Sequence, residues 1–226
     1  MKVVVVGGSG FVGRRTVAAL QRFPGLEVSV AGRRGPVIVD VSHPASFTSL
    51  ASFDVVVDLT DGTSQRPDDL VGWCLANDKT VVEATSDGET VRRLAERHRA
   101  SSGPGRLVLG GGLFTGVSNL MARDASDSVG GARSLTFAVA SSPYSGAGAG
   151  TVALMAEAAA RPAVRTVDGV RREEAPARGP AIAFDGNARP TYRMSLAEAE
   201  MLPASTGATD VDVLFAFKPA FLVSVF

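Results

Sequence analysis

The chain has 226 residues, 45% hydrophobic and 20% charged, with 23 basic and 23 acidic side chains. This length accommodates one or two domains with buried cores, and a formal charge of zero supplies no general drive towards nucleic acid or an anionic membrane. One cysteine, Cys74, excludes an internal disulfide framework and cysteine-rich zinc sites, and no apolar run reaches the roughly 18 residues of a transmembrane helix.

Residues 3–6, four consecutive valines, are too short for a signal-peptide core and run into glycine rather than a cleavage site. They predict a buried strand, and a cytoplasmic location is expected. Residues 11–23 predict a helix with Val12, Thr16, Ala19, Leu20 and Phe23 on its apolar face, stopped by Pro24-Gly25. Strands follow at 27–31, 37–41 and 55–59, the last an apolar run suited to burial on both faces. A helix at 68–76, a strand at 80–84, a charged surface helix at 89–100 and a strand at 106–109 complete the alternation. The fold class is therefore α/β, a doubly wound parallel sheet.

The texture changes after residue 114, so domains are expected at 1–114 and 115–226. The second is mixed α/β: a helix at 116–127, a strand at 135–140, a glycine-rich loop at 146–150, a helix at 151–160, and strands at 191–194 and 211–217. Residues 168–190, charged and rich in turn formers, read as an excursion over the surface.

The strongest motif is Gly8-x-Gly10-x-x-Gly13, preceded by Gly7 and set between the first strand and the first helix. Gly8 would make the tight turn, Gly10 would let the backbone approach a pyrophosphate, and Gly13 would let helix and strand pack closely. Ser9, Gly10, Phe11 and Val12 would present N–H groups at a positive helix end. The alternative is a glycine turn with no ligand. About twenty residues on, an NAD site places a carboxylate; this chain has Arg33 and Arg34 instead, which suit a 2′-phosphate and point to NADP. Solvated loop arginines are the alternative. Asp40 and Val41 either border the adenine or form an ordinary strand-end turn.

Thr60 and Asp61 end the fourth strand, on the side expected for nicotinamide. Residues 83–87 end the fifth on the same edge. Acids at paired strand ends could serve acid–base work, although Ser86 or Asp87 before Glu89 fits a helix cap better. Residues 110–119 form a glycine-rich linker that could receive a substrate carboxylate at a helix start or act as a hinge. Tyr144 and Tyr192 have no lysine four positions on, which argues against a sugar-nucleotide epimerase-like enzyme. His43 and His98 have no partner at metal-ligand spacing, no metal is expected, and Trp73 and Cys74 read as packing residues.

On these residues the chain resembles the saccharopine dehydrogenase-like family of NADP-binding oxidoreductases. The resemblance rests on residues 3–14, Val30-Ala31-Gly32-Arg33, Asp54-Val55-Val56-Val57-Asp58, the linker from Gly112 to Leu120, and Gly148-Ala149-Gly150-Thr151. It implies a Rossmann domain followed by an α/β domain for substrate binding and homodimerisation, and hydride chemistry on small carbon–nitrogen or carbonyl compounds. Asp61, Phe114, Thr115 and Gly116 are the implied substrate-side positions. Two departures accompany it: the family's Asp-Pro-Gly is Phe114-Thr115-Gly116 here, and its Gly-Pro turn is Asp61-Gly62. A returning segment is also missing, so a shortened second domain is expected. No catalytic residue is assigned, and Asp61 is the best-placed proton-donor candidate. The expected activity is NADP-dependent oxidoreduction, with a non-catalytic NADP-binding regulator or degenerate paralogue as the alternative.

Overall fold

The structure, a computed structural model, describes residues 1–60, 67–142 and 149–217. Two compact units emerge, the first holding Met1–Thr85 and Glu89–Gly116. In chain order it contains β1 (Lys2–Val6), α1 (Phe11–Leu20), β2 (Glu27–Gly32), β3 (Val37–Ile38), a 3-10 helix (Pro44–Leu50), β4 (Val55–Asp58), α2 (Asp68–Ala76), β5 (Thr80–Glu83), α3 (Gly88–Ala100) and β6 (Arg106–Leu109). The six strands pair in the order β3-β2-β1-β4-β5-β6, all parallel. That is the doubly wound Rossmann order, with its reversal between β1 and β4.

The valines explain the central strands. All four in β1 are buried, since a central parallel strand is covered on both faces. Val4 and Val6 pack with Val56, Val81, Phe47, Leu50, Leu70, Cys74 and Leu94 in one core. Phe47, from the 3-10 helix that the sequence reading missed, meets Trp73 of α2 edge-on, with ring centroids 6.5 Å apart.

Two predicted details change. The face of α1 that packs inward carries Gly13 and Val17, whereas Val12 and Phe23 are exposed. A glycine pressed against the sheet sets the helix orientation, yet it leaves no mark in a hydrophobic pattern. β3 ends at Ile38 rather than residue 41, because the Asp40 N–H donates to Ser46 Oγ (3.0 Å) and the chain turns into the 3-10 helix.

The second unit holds Ser86–Gly88 and the described chain from Val117. Its elements are α4 (Val117–Ser128), β7 (Ser134–Ser141), α5 (Ala149–Ala160), β8 (Ala163–Val167), β9 (Val170–Glu174), β10 (Ala177–Arg178), β11 (Ile182–Phe184), β12 (Asn187–Arg189), β13 (Tyr192–Arg193), α6 (Glu198–Thr206) and β14 (Asp210–Phe217). β14 organises the sheet. It pairs with β7 in parallel from Asp210↔Ser134 to Phe217↔Ser141, and antiparallel with β13 and β8. Val211, Val213 and Phe215 join Leu202, Ala199, Met194 and Ala122 in a separate core. Asp212 alternates away from them and accepts a bidentate pair from Arg193, at 2.9 and 2.7 Å.

The stretch at 168–190 does run over the surface, and most of it is strand. Asp168-Gly169 joins β8 to β9 and Asp185-Gly186 joins β11 to β12, each pair at positive φ (50° and 76°; 52° and 76°). These are two-residue hairpin turns of the kind that match strand twist. α6 was also missed. It carries Pro203 internally, a residue that reads as a helix breaker.

Two outcomes test this packing. Phe47→Ala should cost about 3–5 kcal/mol through the cavity it leaves, measured by urea unfolding followed through Trp73, the chain's one tryptophan. The Cys74 thiol is pushed up to about 12 by burial and, secondarily, by the Asp58 charge. It should resist thiol reagents at about pH 8 until the chain is unfolded; rapid labelling of the native protein would contradict its enclosure.

Candidate functional site

The site begins where β1 meets α1. Gly7 takes φ +77°, donates its N–H to the Ala31 carbonyl (3.0 Å), and accepts from the Gly10 N–H (2.9 Å). The left-handed residue of the turn is thus Gly7. Gly8 is confined for a different reason: a Cβ there would lie 2.9 Å from the Val5 carbonyl oxygen and 3.1 Å from the Val30 side chain. At Gly13 a Cβ would overlap the Gly7 carbonyl oxygen, so helix and turn close only without a side chain. The first helical bond of α1 runs from Arg14 N–H to the Gly10 carbonyl (3.1 Å). The N–H groups of Phe11, Val12 and Gly13 lie ahead of that ladder. Gly10 supplies no side-chain cap and the first turn holds no acid, so the positive helix end is not neutralised locally. Ser9, Gly10, Phe11 and Val12 are exposed around it. Arg15 rests on the Phe11 ring, 4.2 Å from its centroid.

Arg33 and Arg34 follow the end of β2 and are exposed. Neither forms an ion pair among the described residues, unlike Arg92, Arg93, Arg123, Arg161, Arg171 and Arg193. At Asp40 the chain turns: its carboxylate accepts from Ser42 N–H (3.0 Å) and Oγ (2.6 Å) and faces His43 at 3.1 Å. The Ser42 hydroxyl, first, and its N–H hold the Asp40 carboxyl below its ordinary value. Val41 is buried in the core.

Thr60 follows β4. Its N–H and hydroxyl both donate to Asp58 Oδ1, at 2.9 and 2.7 Å. A Cβ on Gly7 would lie 2.8 Å from the Leu59 carbonyl oxygen and 3.2 Å from the Thr60 nitrogen, so the glycine turn abuts the end of β4. Beside it on β5, Glu83 is the register partner of Asp58. Both are almost fully enclosed, at 1% and 2% exposure, and burial raises both carboxyls. Glu83 is pushed up to about 9, by burial first and then by the Asp58 charge. Glu83 Oε1 accepts the Thr85 N–H (2.9 Å), and the Thr85 carbonyl accepts the Thr115 hydroxyl (2.9 Å).

The linker positions differ from one another. Phe114 is exposed, Thr115 is fully buried on its Thr85 contact, and Gly116 takes φ +142° where a Cβ would overlap the Gly110 and Gly112 carbonyl oxygens. Asp61 lies outside the described residues, as do Tyr144 and the loop at 146–148. Asp87, considered as a helix cap, pairs with Arg161 at 2.7 Å.

Strand order therefore lines up the ends of β2, β1, β4 and β5, and with them Arg33 and Arg34, the glycine turn, Thr60 and Thr85. Open α/β sheets bind ligands outside this carboxyl edge, at the reversal between β1 and β4. The sequence reading did not single out Asp58 with Glu83 as a pair. Their signal was present: each is the last residue of a valine-rich strand, two positions after a buried valine on the same face (Val56, Val81). Among the described residues no group of three or more His, Cys, Asp or Glu could hold a metal ion, and no helix is long and apolar enough to cross a membrane.

No family model and no curated protein matches the chain. Solved structures do. GenD2 from gentamicin A biosynthesis, in complex with NAD, is 16% identical with a TM-score of 0.46, over 96% of this chain and 65% of its own. Aspartate dehydrogenase from Thermotoga maritima is 14% identical, TM-score 0.46, over 97% and 80%. Aspartate semialdehyde dehydrogenase from Francisella tularensis is 10% identical, TM-score 0.48, over 96% and 72%. The chain thus spans just under two thirds of GenD2, and the Rossmann assignment stands on its own strand order.

Proposed function

We propose that the chain binds NADP and acts as an oxidoreductase of the saccharopine dehydrogenase-like type on a small carbon–nitrogen or carbonyl compound. One observation carries the reading: an uncapped helix end behind Gly7 to Gly13 shares the sheet edge with two exposed arginines that form no ion pair among the described residues. The N–H groups of Phe11 and Val12 would hold the pyrophosphate. Arg33, with Arg34, would pair with the 2′-phosphate, where a carboxylate would repel it. Thr60 would border the nicotinamide half, its hydroxyl oriented by Asp58. When bound, the cofactor supplies hydride transfer, and the protein supplies orientation and electrostatics. Phe114, Thr115 and Gly116 replace an Asp-Pro-Gly, so saccharopine itself is disfavoured as substrate.

A second reading, a non-catalytic NADP-binding regulator, is favoured by the enclosure of Asp58 and Glu83, which leaves neither exposed for proton exchange with a substrate. Turnover assays with NADPH against imines and α-keto acids separate the two: tight binding without turnover selects the regulator.

The binding assignment predicts tighter NADPH than NADH in fluorescence titrations. Arg33→Ala with Arg34→Ala should weaken NADPH about tenfold or more while sparing NADH, because a charge-assisted phosphate contact is worth about 1.5–3 kcal/mol. An unchanged preference would overturn the assignment of the phosphate clamp. Gly13→Ala should abolish binding of both nucleotides, since its methyl displaces the turn itself.

A further inference from the structure

Asp58 and Glu83 present an electrostatic problem that the cofactor reading leaves unsolved. They are register partners on adjacent parallel strands, enclosed at 1% and 2% exposure. One oxygen of each is satisfied: Asp58 Oδ1 by two donors from Thr60, Glu83 Oε1 by the Thr85 N–H. The second oxygens, Asp58 Oδ2 and Glu83 Oε2, are buried with no donor. Two carboxylates cannot bond to each other, since each only accepts. One proton between them satisfies both oxygens and removes one buried charge.

The groups around the pair supply no alternative. Asp58 and Glu83 act on one another. From α2 the Cys74 thiol feels the Asp58 charge and stays protonated, and from the loops come the neutral Thr60 and Thr85. Neither carboxyl has an arginine, lysine or histidine partner among the described residues. The proton belongs on Glu83: the Thr60 hydroxyl and N–H both stabilise the Asp58 charge, Glu83 is answered by backbone N–H groups alone, and the bond between the two side chains lowers Asp58 and raises Glu83.

We propose that Asp58 and Glu83 share one proton, carried by Glu83, and that this proton is a latch holding Thr60 and Thr85 at the carboxyl edge of the sheet. Asp58 grips Thr60 at the end of β4, Glu83 grips Thr85 after β5, and Thr85 in turn receives Thr115 from the linker. Losing the proton to solvent at alkaline pH places two adjacent charges in a dry site, and their repulsion parts the strand ends. Both are positioning residues, and their effect on NADPH rests on the cofactor reading above.

The sign of the pH effect follows from linkage. Glu83 ionises at about 9 in the folded chain and at about 4.5 when unfolded. The folded state therefore keeps a proton that the unfolded state has released, and stability falls as pH rises across that window.

Three measurements on the full chain test the latch. In the cofactor-free protein, the Glu83 carboxyl-carbon NMR signal should titrate well above the ordinary carboxyl range, and the melting temperature should fall from about pH 5 to 9 more steeply than in Glu83→Gln. Either single amide, Glu83→Gln or Asp58→Asn, keeps one donor facing one acceptor. The double variant sets two NH2 groups together and should lose more melting temperature than the singles summed. With NADPH, wild type should bind about tenfold more weakly at pH 10 than at pH 7, and Glu83→Gln should change by less than about threefold. A Glu83 signal that titrates normally, or melting curves parallel in wild type and Glu83→Gln, overturns the shared proton. An equal alkaline loss of NADPH in Glu83→Gln overturns the latch. Failure of wild type to bind NADPH at any pH defeats the cofactor reading and the latch's action on it, while the titration and melting curves still decide the proton.

Discussion

The first unit depends on one close approach, the Gly13 Cα against the Gly7 carbonyl oxygen, where no side chain fits. It sets the angle at which α1 leaves β1, and so puts Gly13 and Val17 on the buried face of that helix. The same approach leaves the helix start unobstructed, with Phe11 and Val12 exposed beside it. What the helix start offers an anion follows from that placement, free N–H groups and a positive helix end, while the pairing of β2 with β1 brings Arg33 and Arg34 to the same edge.

The sheet edge also carries a tension. Parallel central strands are built from apolar residues, yet β4 and β5 both end in a carboxyl that the packing encloses. Such groups are costly unless every lone pair and charge is answered. Thr60 and Thr85 answer half of the oxygens, and the pairing of the two acids with each other answers the rest. Polar satisfaction here ties together two strand ends and the linker, at the point where a doubly wound sheet takes its ligand.

The β-branched runs and the glycine spacing made the first unit legible from the sequence: valine-rich segments of strand length, each followed by a turn or helix signal, leave few other arrangements. The second unit was less legible. Asp168-Gly169 and Asp185-Gly186 are strong hairpin signals, but the charged strands around them, such as Val170–Glu174, lack an apolar alternation because they are exposed. In α6, Pro203 masked a helix held by the burial of Leu202, Ala199 and Glu198. Long-range packing outweighs local propensity there.

Local chemistry by itself determined the fold class, the glycine turn between β1 and α1 and the absence of an acid after β2. These depend on residue type and near-neighbour spacing, which the chain carries in linear order. Tertiary structure alone decided that Gly7 takes the left-handed conformation, that α1 buries Gly13 and Val17, and that Asp58 meets Glu83 across 25 positions of chain (83 − 58). Strand register and close packing join residues that have no sequence proximity, and burial then changes what those residues can do: in solution Asp58 and Glu83 would be two ordinary carboxylates, and side by side in a dry sheet they become a pair that must share a proton.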